Sequence, residues 1–154
     1  MGKRKVLRIL HILGGIIAFI TILTFLLSSA RVEFFGNAIS IAHVKVRIAY
    51  ALLLLVPAIA IAGATGFSLS GPNPKGLAAK KASRMKIIAG NGILVLVPAA
   101  LFLAWKAVAH EIDTTFMIVQ SIEYLAGIIN LGLIGMNIRD GVLMKRPAKR
   151  KIPA

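Results

Sequence analysis

From Ile9 to Ala30, from Ile48 to Pro74 and from Ile87 to Trp105 the chain carries no Asp, Glu, Lys or Arg, and from Thr114 to Ile138 it carries Glu123 alone. Stretches of this length constrain the fold more than any motif. The hydrocarbon layer of a bilayer is about 30 Å thick and a helix rises about 1.5 Å per residue, so roughly 20 mostly apolar residues make one crossing. The runs lack period-two alternation, which argues for helices over strands. The expected fold is all-α and integral to a membrane, an antiparallel four-helix transmembrane bundle. Its spans are placed at about 6–28, 38–67, 85–109 and 115–137.

Composition supports a lipid solvent. Of the 154 residues, 58% are hydrophobic, and mean hydropathy is +0.85. Soluble domains run at about 45–50% apolar, and a soluble chain this short leaves too much surface outside to hide the excess. Nothing reads as a linker, so residues 1–154 are taken as one membrane domain ending in a basic tail, 139–154. Cysteine is absent, which excludes disulfides, zinc–thiolate sites and cysteine nucleophiles.

The net charge of +14 sorts by side of the membrane. Lys3, Arg4, Lys5 and Arg8 precede span one. Lys75, Lys80, Lys81, Arg84 and Lys86 lie about the middle loop, and Arg139, Lys145, Arg146, Lys149, Arg150 and Lys151 follow span four, against Asp140 alone. The other side balances Arg31, Lys45, Arg47 and Lys106 against Glu33, Glu111, Asp113 and Glu123. Short loops rich in Lys and Arg stay in the cytoplasm, so both termini are expected there and the membrane is the inner one. The partner this implies is a bilayer with anionic headgroups, held by Lys145, Arg146, Lys149, Arg150 and Lys151 at about 1 kcal/mol per basic residue. A membrane-protein partner or a second copy remains open; nucleic acid is not expected. Span one is expected to be retained, because Ile9–Leu27 exceeds the length of a signal core. Cleavage near Ser28-Ser29-Ala30 would leave three spans and satisfy the charge rule equally.

Polar residues within the spans are the candidate functional groups. Span one carries His11, Gly14, Gly15, Ala18, Thr21 and Ser28 near one face, a stripe suited to close helix packing. Span four carries Gln120, Glu123, Gly127, Asn130 and Asn137 at helical spacing, so this face should turn inward. Span two is expected to start before the lipid, with His43, Lys45 and Arg47 at headgroup level and the hydrocarbon boundary near Arg47. From there Arg47 is expected to pair with Glu123, with Lys106 as a second candidate, since long basic stems let a charge shift along a helix. The cluster Arg47, Gln120, Glu123 and Asn130 is then either a structural ion pair or a proton or cation site, because burial favours the protonated carboxyl.

His43 and His110 both belong to the outer end, near Glu111 and Asp113, and His11 to the cytoplasmic end. The outer pair is the candidate metal or haem site. Leu52-Leu53-Leu54-Leu55-Val56-Pro57-Ala58 and Gly92-Ile93-Leu94-Val95-Leu96-Val97-Pro98-Ala99 look alike and would run in opposite directions, as in an inverted repeat or by chance in apolar sequence. Gly63-Ala64-Thr65-Gly66 signifies close helix contact. No phosphate loop, nucleophile elbow or metalloprotease motif occurs.

Leu10-His11-Ile12-Leu13-Gly14-Gly15 early in a first span, with Arg47 leading a helix that ends in Ala64-Thr65-Gly66, resembles the copper-resistance D family of multi-span bacterial proteins. Phe19 is the nearest aromatic after His11. The resemblance covers about a third of the chain and implies copper or haem b near the histidines. The second half, with Arg84-Met85, Asn91-Gly92, Phe116, Gln120, Glu123 and Asn137-Ile138-Arg139-Asp140-Gly141, resembles uncharacterised small four-span membrane proteins of proteobacteria and implies no activity. Three functions follow: a non-enzymatic inner-membrane subunit or accessory protein, a small haem- or metal-handling redox protein, and a proton-coupled small-solute carrier.

Overall fold

A computed structural model describes residues 2–144. They form four helices, each long and apolar enough to cross a membrane: α1 Lys3–Phe35, α2 Ala38–Ser70, α3 Leu77–Val108 and α4 Thr114–Leu143. At 30 to 33 residues each, they run about 45–50 Å at 1.5 Å per residue. That is the hydrocarbon layer plus both headgroup zones. The helices therefore outrun the expected spans. α1 begins at Lys3 and α3 at Leu77 rather than near Met85, because a helix need not stop where the lipid tails do, and Lys80, Lys81, Arg84 and Lys86 are good helix formers.

The turn between α1 and α2 is only Gly36-Asn37. A Cβ at Gly36 would lie 2.5 Å from both Ser40 Oγ and the Val32 carbonyl, so only glycine fits. Asn37 Oδ1 accepts from the Ser40 N–H at 2.9 Å and Ser40 Oγ accepts from the Asn37 N–H at 2.8 Å, a reciprocal cap that starts α2. The α3–α4 turn closes with His110 at φ 57°. The His110 N–H bonds to Ala107 O and the Glu111 N–H to Lys106 O, the paired pattern of a Schellman cap.

α1 packs against α2 and α4, and α3 packs against α2 and α4, so the helices form a ring. Their contacts run antiparallel. Gly14 of α1 sits on Ala58 and Ala62 of α2, where a Cβ would come within 2.7 Å of the Ala58 carbonyl, while Ser29 of α1 meets Lys45 of α2. The main core is Ala18, Ile22, Ile48, Leu52, Leu55, Ile88, Ala100 and Ile134. A smaller one, Ile41, Leu103, Ala107 and Phe116, lies near the two turns. The outside is apolar: Tyr50, Leu53 and Leu94 are each more than 70% exposed, which lipid tolerates and water does not.

The two proline segments differ in geometry. Pro57 lies within a helix that stays α throughout. Ahead of Pro98, Gly92–Leu96 widens into a π-helical turn, and the Val97 N–H reaches back five residues to Gly92 O. Proline lacks an N–H and crowds the carbonyl four residues back, and at Pro98 the wider turn accommodates this. The look-alike segments thus do not share one backbone form.

Candidate functional site

The face of α2 that carries Ile41, Ile48, Leu52 and Leu55 also carries Lys45, so the bundle encloses this lysine completely, at 0% exposure. Its ammonium donates to Ser29 Oγ of α1 at 3.0 Å, to Glu123 Oε2 of α4 at 2.9 Å, and to Gln120 Oε1 of α4. Glu33 of α1 completes the group: its Oε1 lies 3.5 Å from Lys45 Nζ, and its Oε2 accepts from the Tyr124 hydroxyl at 2.8 Å. Gln120 Nε2 also donates to Glu123 Oε2 at 3.0 Å.

This corrects the expected pairing. The cation beside Glu123 is Lys45, not Arg47. Two residues along a helix are about 200° apart, so enclosing Lys45 turns Arg47 outward, where it is exposed. Lys106 does not reach Glu123 either. It bonds Asp113 Oδ2 at 2.6 Å and Glu111 Oε2 at 3.0 Å. Asp113 also caps α4 by accepting from the Phe116 N–H. The Lys106 ammonium first, and that N–H second, hold the Asp113 carboxyl below its ordinary range.

Beside the Lys45 group a cavity of about 40 Å³ lies among all four helices, lined by Ser29, Glu123 and Tyr124 together with Ile22, Leu52 and Leu96 among others. Its wall is almost wholly apolar, so size alone does not make it a water site. Further along α4, Asn130 is fully enclosed. Its Oδ1 accepts from Asn91 Nδ2 at 2.9 Å, and Asn91 also donates to Ala126 O. Asn91 stands at the entry of the π-helical turn. At the far end, Arg84 of α3 donates to Asp140 Oδ2 at 2.6 Å and to Asn137 Oδ1 at 3.3 Å, and Arg139 adds a second cation to Asp140.

The inward face of α4 thus carries Gln120, Glu123, Asn130, Asn137 and Asp140. From Gln120 to Asp140 this is about 30 Å by helical rise, the thickness of the hydrocarbon layer. Sequence reasoning missed Glu33, Lys45, Ser29, Tyr124, Asn91, Arg84 and Asp140 as members of this column. Ser29, rather than Ser28, is the enclosed serine of α1.

His11 lies at the opposite end of the bundle from His43 and His110. His11 Nδ1–H donates to the Ala62 carbonyl at 2.8 Å and its ring lies on Gly66, where a Cβ would come within 2.9 Å. His43 and His110 are exposed near the two turns, and His110 serves as a helix cap. Among the described residues no three His, Cys, Asp or Glu side chains converge as metal ligands. Lys145, Arg146, Lys149, Arg150 and Lys151, the expected lipid-binding residues, lie outside the described residues. Comparisons with family models, curated proteins and solved structures find no match to the chain.

Proposed function

We propose that the chain is a non-enzymatic four-span protein of the inner membrane, with both termini in the cytoplasm, that moves protons through its bundle. One observation carries this reading: the enclosed group holds two carboxylates, Glu33 and Glu123, but one ammonium, Lys45. A buried, uncompensated charge is expensive, and a single proton removes it. The group therefore has two states that differ by one proton. Asn130, Asn137 and Asp140 continue the inward polar face of α4 beyond it. The distribution of Lys and Arg supports the orientation, with the Lys45 group nearer the outer surface.

The test is proton flux in proteoliposomes holding a trapped pH dye, with a potassium diffusion potential as the drive. The wild-type chain should acidify the lumen faster than empty vesicles, and Glu123→Gln should return the rate to background. A wild-type rate equal to that of empty vesicles removes the reading. Fusion of a cytoplasm-dependent fluorescent reporter to the C-terminus tests the orientation, since fluorescence is expected only with that end inside.

A second reading has its own support. The bonds from Lys45 and from Asn91 and Asn130 tie helices together, as polar groups do in membrane proteins, which suits a subunit or accessory protein. That reading gains if flux is absent and the Gln variant mainly loses stability.

A further inference from the structure

We propose that Glu33, at the end of α1, is the residue that takes and releases the proton, with Oε1 as the receiving atom. The inference rests on the proton-moving reading above and goes beyond it by assigning the carrier. It follows from counting donors. An ammonium has three protons, and those of Lys45 go to Ser29 Oγ, Gln120 Oε1 and Glu123 Oε2. None remains for Glu33. Glu123 Oε2 accepts from both Lys45 and Gln120, the environment of a settled carboxylate. Glu33 Oε2 accepts only the neutral Tyr124 hydroxyl, and its Oε1 is buried without a hydrogen bond among the described residues.

The groups facing Glu33 are Lys45 from α2 and Glu123 and Tyr124 from α4, the two helices on which α1 packs. On its own helix Arg31 is exposed. Among the described residues the one facing cation, Lys45, lies 3.5 Å from Oε1 and is hydrogen-bonded to the other carboxylate. Adding a proton to Glu33 Oε1 leaves one carboxylate with one ammonium and a neutral group. Removing it restores the excess charge. Glu33 has 14% of its side chain exposed and Glu123 13%, against none for Lys45, while Oε1 itself is buried.

Infrared spectroscopy of the full chain in lipid vesicles at neutral pH tests this. A protonated carboxyl gives a carbonyl band that ionised carboxylates lack. The wild-type band should vanish in Glu33→Gln, and also in Glu123→Gln, because either change leaves one carboxylate for one ammonium. Tyr124→Phe identifies the carrier. Loss of its hydrogen bond to Oε2 should move the band to higher wavenumber without abolishing it. Absence of the band in the wild type, its survival in Glu33→Gln, or an unmoved band in Tyr124→Phe overturns the assignment. If Glu33→Gln does not fold, the tyrosine variant alone decides. Flux with an unmoved band removes the Glu33 assignment but keeps the proton-moving reading. A band that moves without flux removes that reading but keeps the assignment.

Discussion

Near the two short turns, one fully enclosed lysine is shared by two carboxylates; at the basic end, one enclosed aspartate is shared by two arginines, Arg84 at 18% exposure and Arg139 at 67%. The chemistry is similar and the solvation is opposite. Arg84 and Arg139 have long stems and are partly exposed, so each can move its charge outward if its partner is lost. Lys45 is held by Ser29, Gln120 and Glu123 from two other helices and has no such route. A salt bridge at the edge of a bundle fixes position cheaply, while one enclosed in it stores charge that only a proton or a counter-ion can relieve.

The largest expected effect breaks the enclosed side. Lys45→Met leaves the enclosed carboxyl groups without a cation and should cost about 3–5 kcal/mol, the range for removing one partner of a buried pair, read by SDS-driven unfolding in mixed micelles. The triple change with Glu33→Gln and Glu123→Gln should recover most of that loss. If the lysine variant alone matches the wild type, the contrast between the ends is lost. Asp140→Asn should cost less than Lys45→Met in the same assay, since both arginines can turn outward. An equal or larger loss would mean that the basic end is as closed as the other.

Much of the fold was legible because it follows from solvation: apolar length alone locates four helices. Their ends were less legible, since charged residues continue a helix beyond its apolar run, as Leu77–Arg84 does. The site was legible where one face could be traced, hence Gln120, Glu123, Asn130 and Asn137 on α4. Lys45 was misread because depth was weighed ahead of face. Arg47 and Lys45 share a depth, but Ile41, Ile48, Leu52 and Leu55 put Lys45 inside, and that spacing was available in the sequence. The Asn91–Asn130 bond is less legible, because the π-helical turn beside it shifts the register of α3. His110 was read for its imidazole, while the structure uses its backbone. His110→Gly should therefore stabilise the fold by about 0.5–1 kcal/mol by relieving a left-handed non-glycine residue, and a marked loss of stability would show the ring to be in use.

Between the two ends, Asn130→Leu tests whether the column is held mainly by packing. Interhelical hydrogen bonds in membrane proteins average about 0.6 kcal/mol, so the loss should be well below that for Lys45→Met. A loss as large as the lysine's would mean that Asn91, Asn130 and the Lys45 group act as one network rather than as separate ties.

The smallest effect belongs to a third ion pair, Lys106 with Asp113, close in sequence and exposed on its acidic side. It is the control for the enclosed group. The Asp113 carboxyl sits below its ordinary value of 3.8, chiefly through the Lys106 ammonium. Its contribution is therefore complete at pH values above 3.8 and is lost as pH falls through the lower, folded-state value. Stability of the wild type should stay level from neutral pH to about pH 5 as far as this pair is concerned, then decline in stronger acid. Asp113→Asn should flatten that decline. Because the pair faces water, 1 M salt should erase most of the difference between the two proteins. The same salt should leave the cost of Lys45→Met almost unchanged, since the Lys45 ammonium is fully enclosed. If salt weakened both alike, Lys45 would have to be open to solvent, and the excess charge that calls for a proton would be screened.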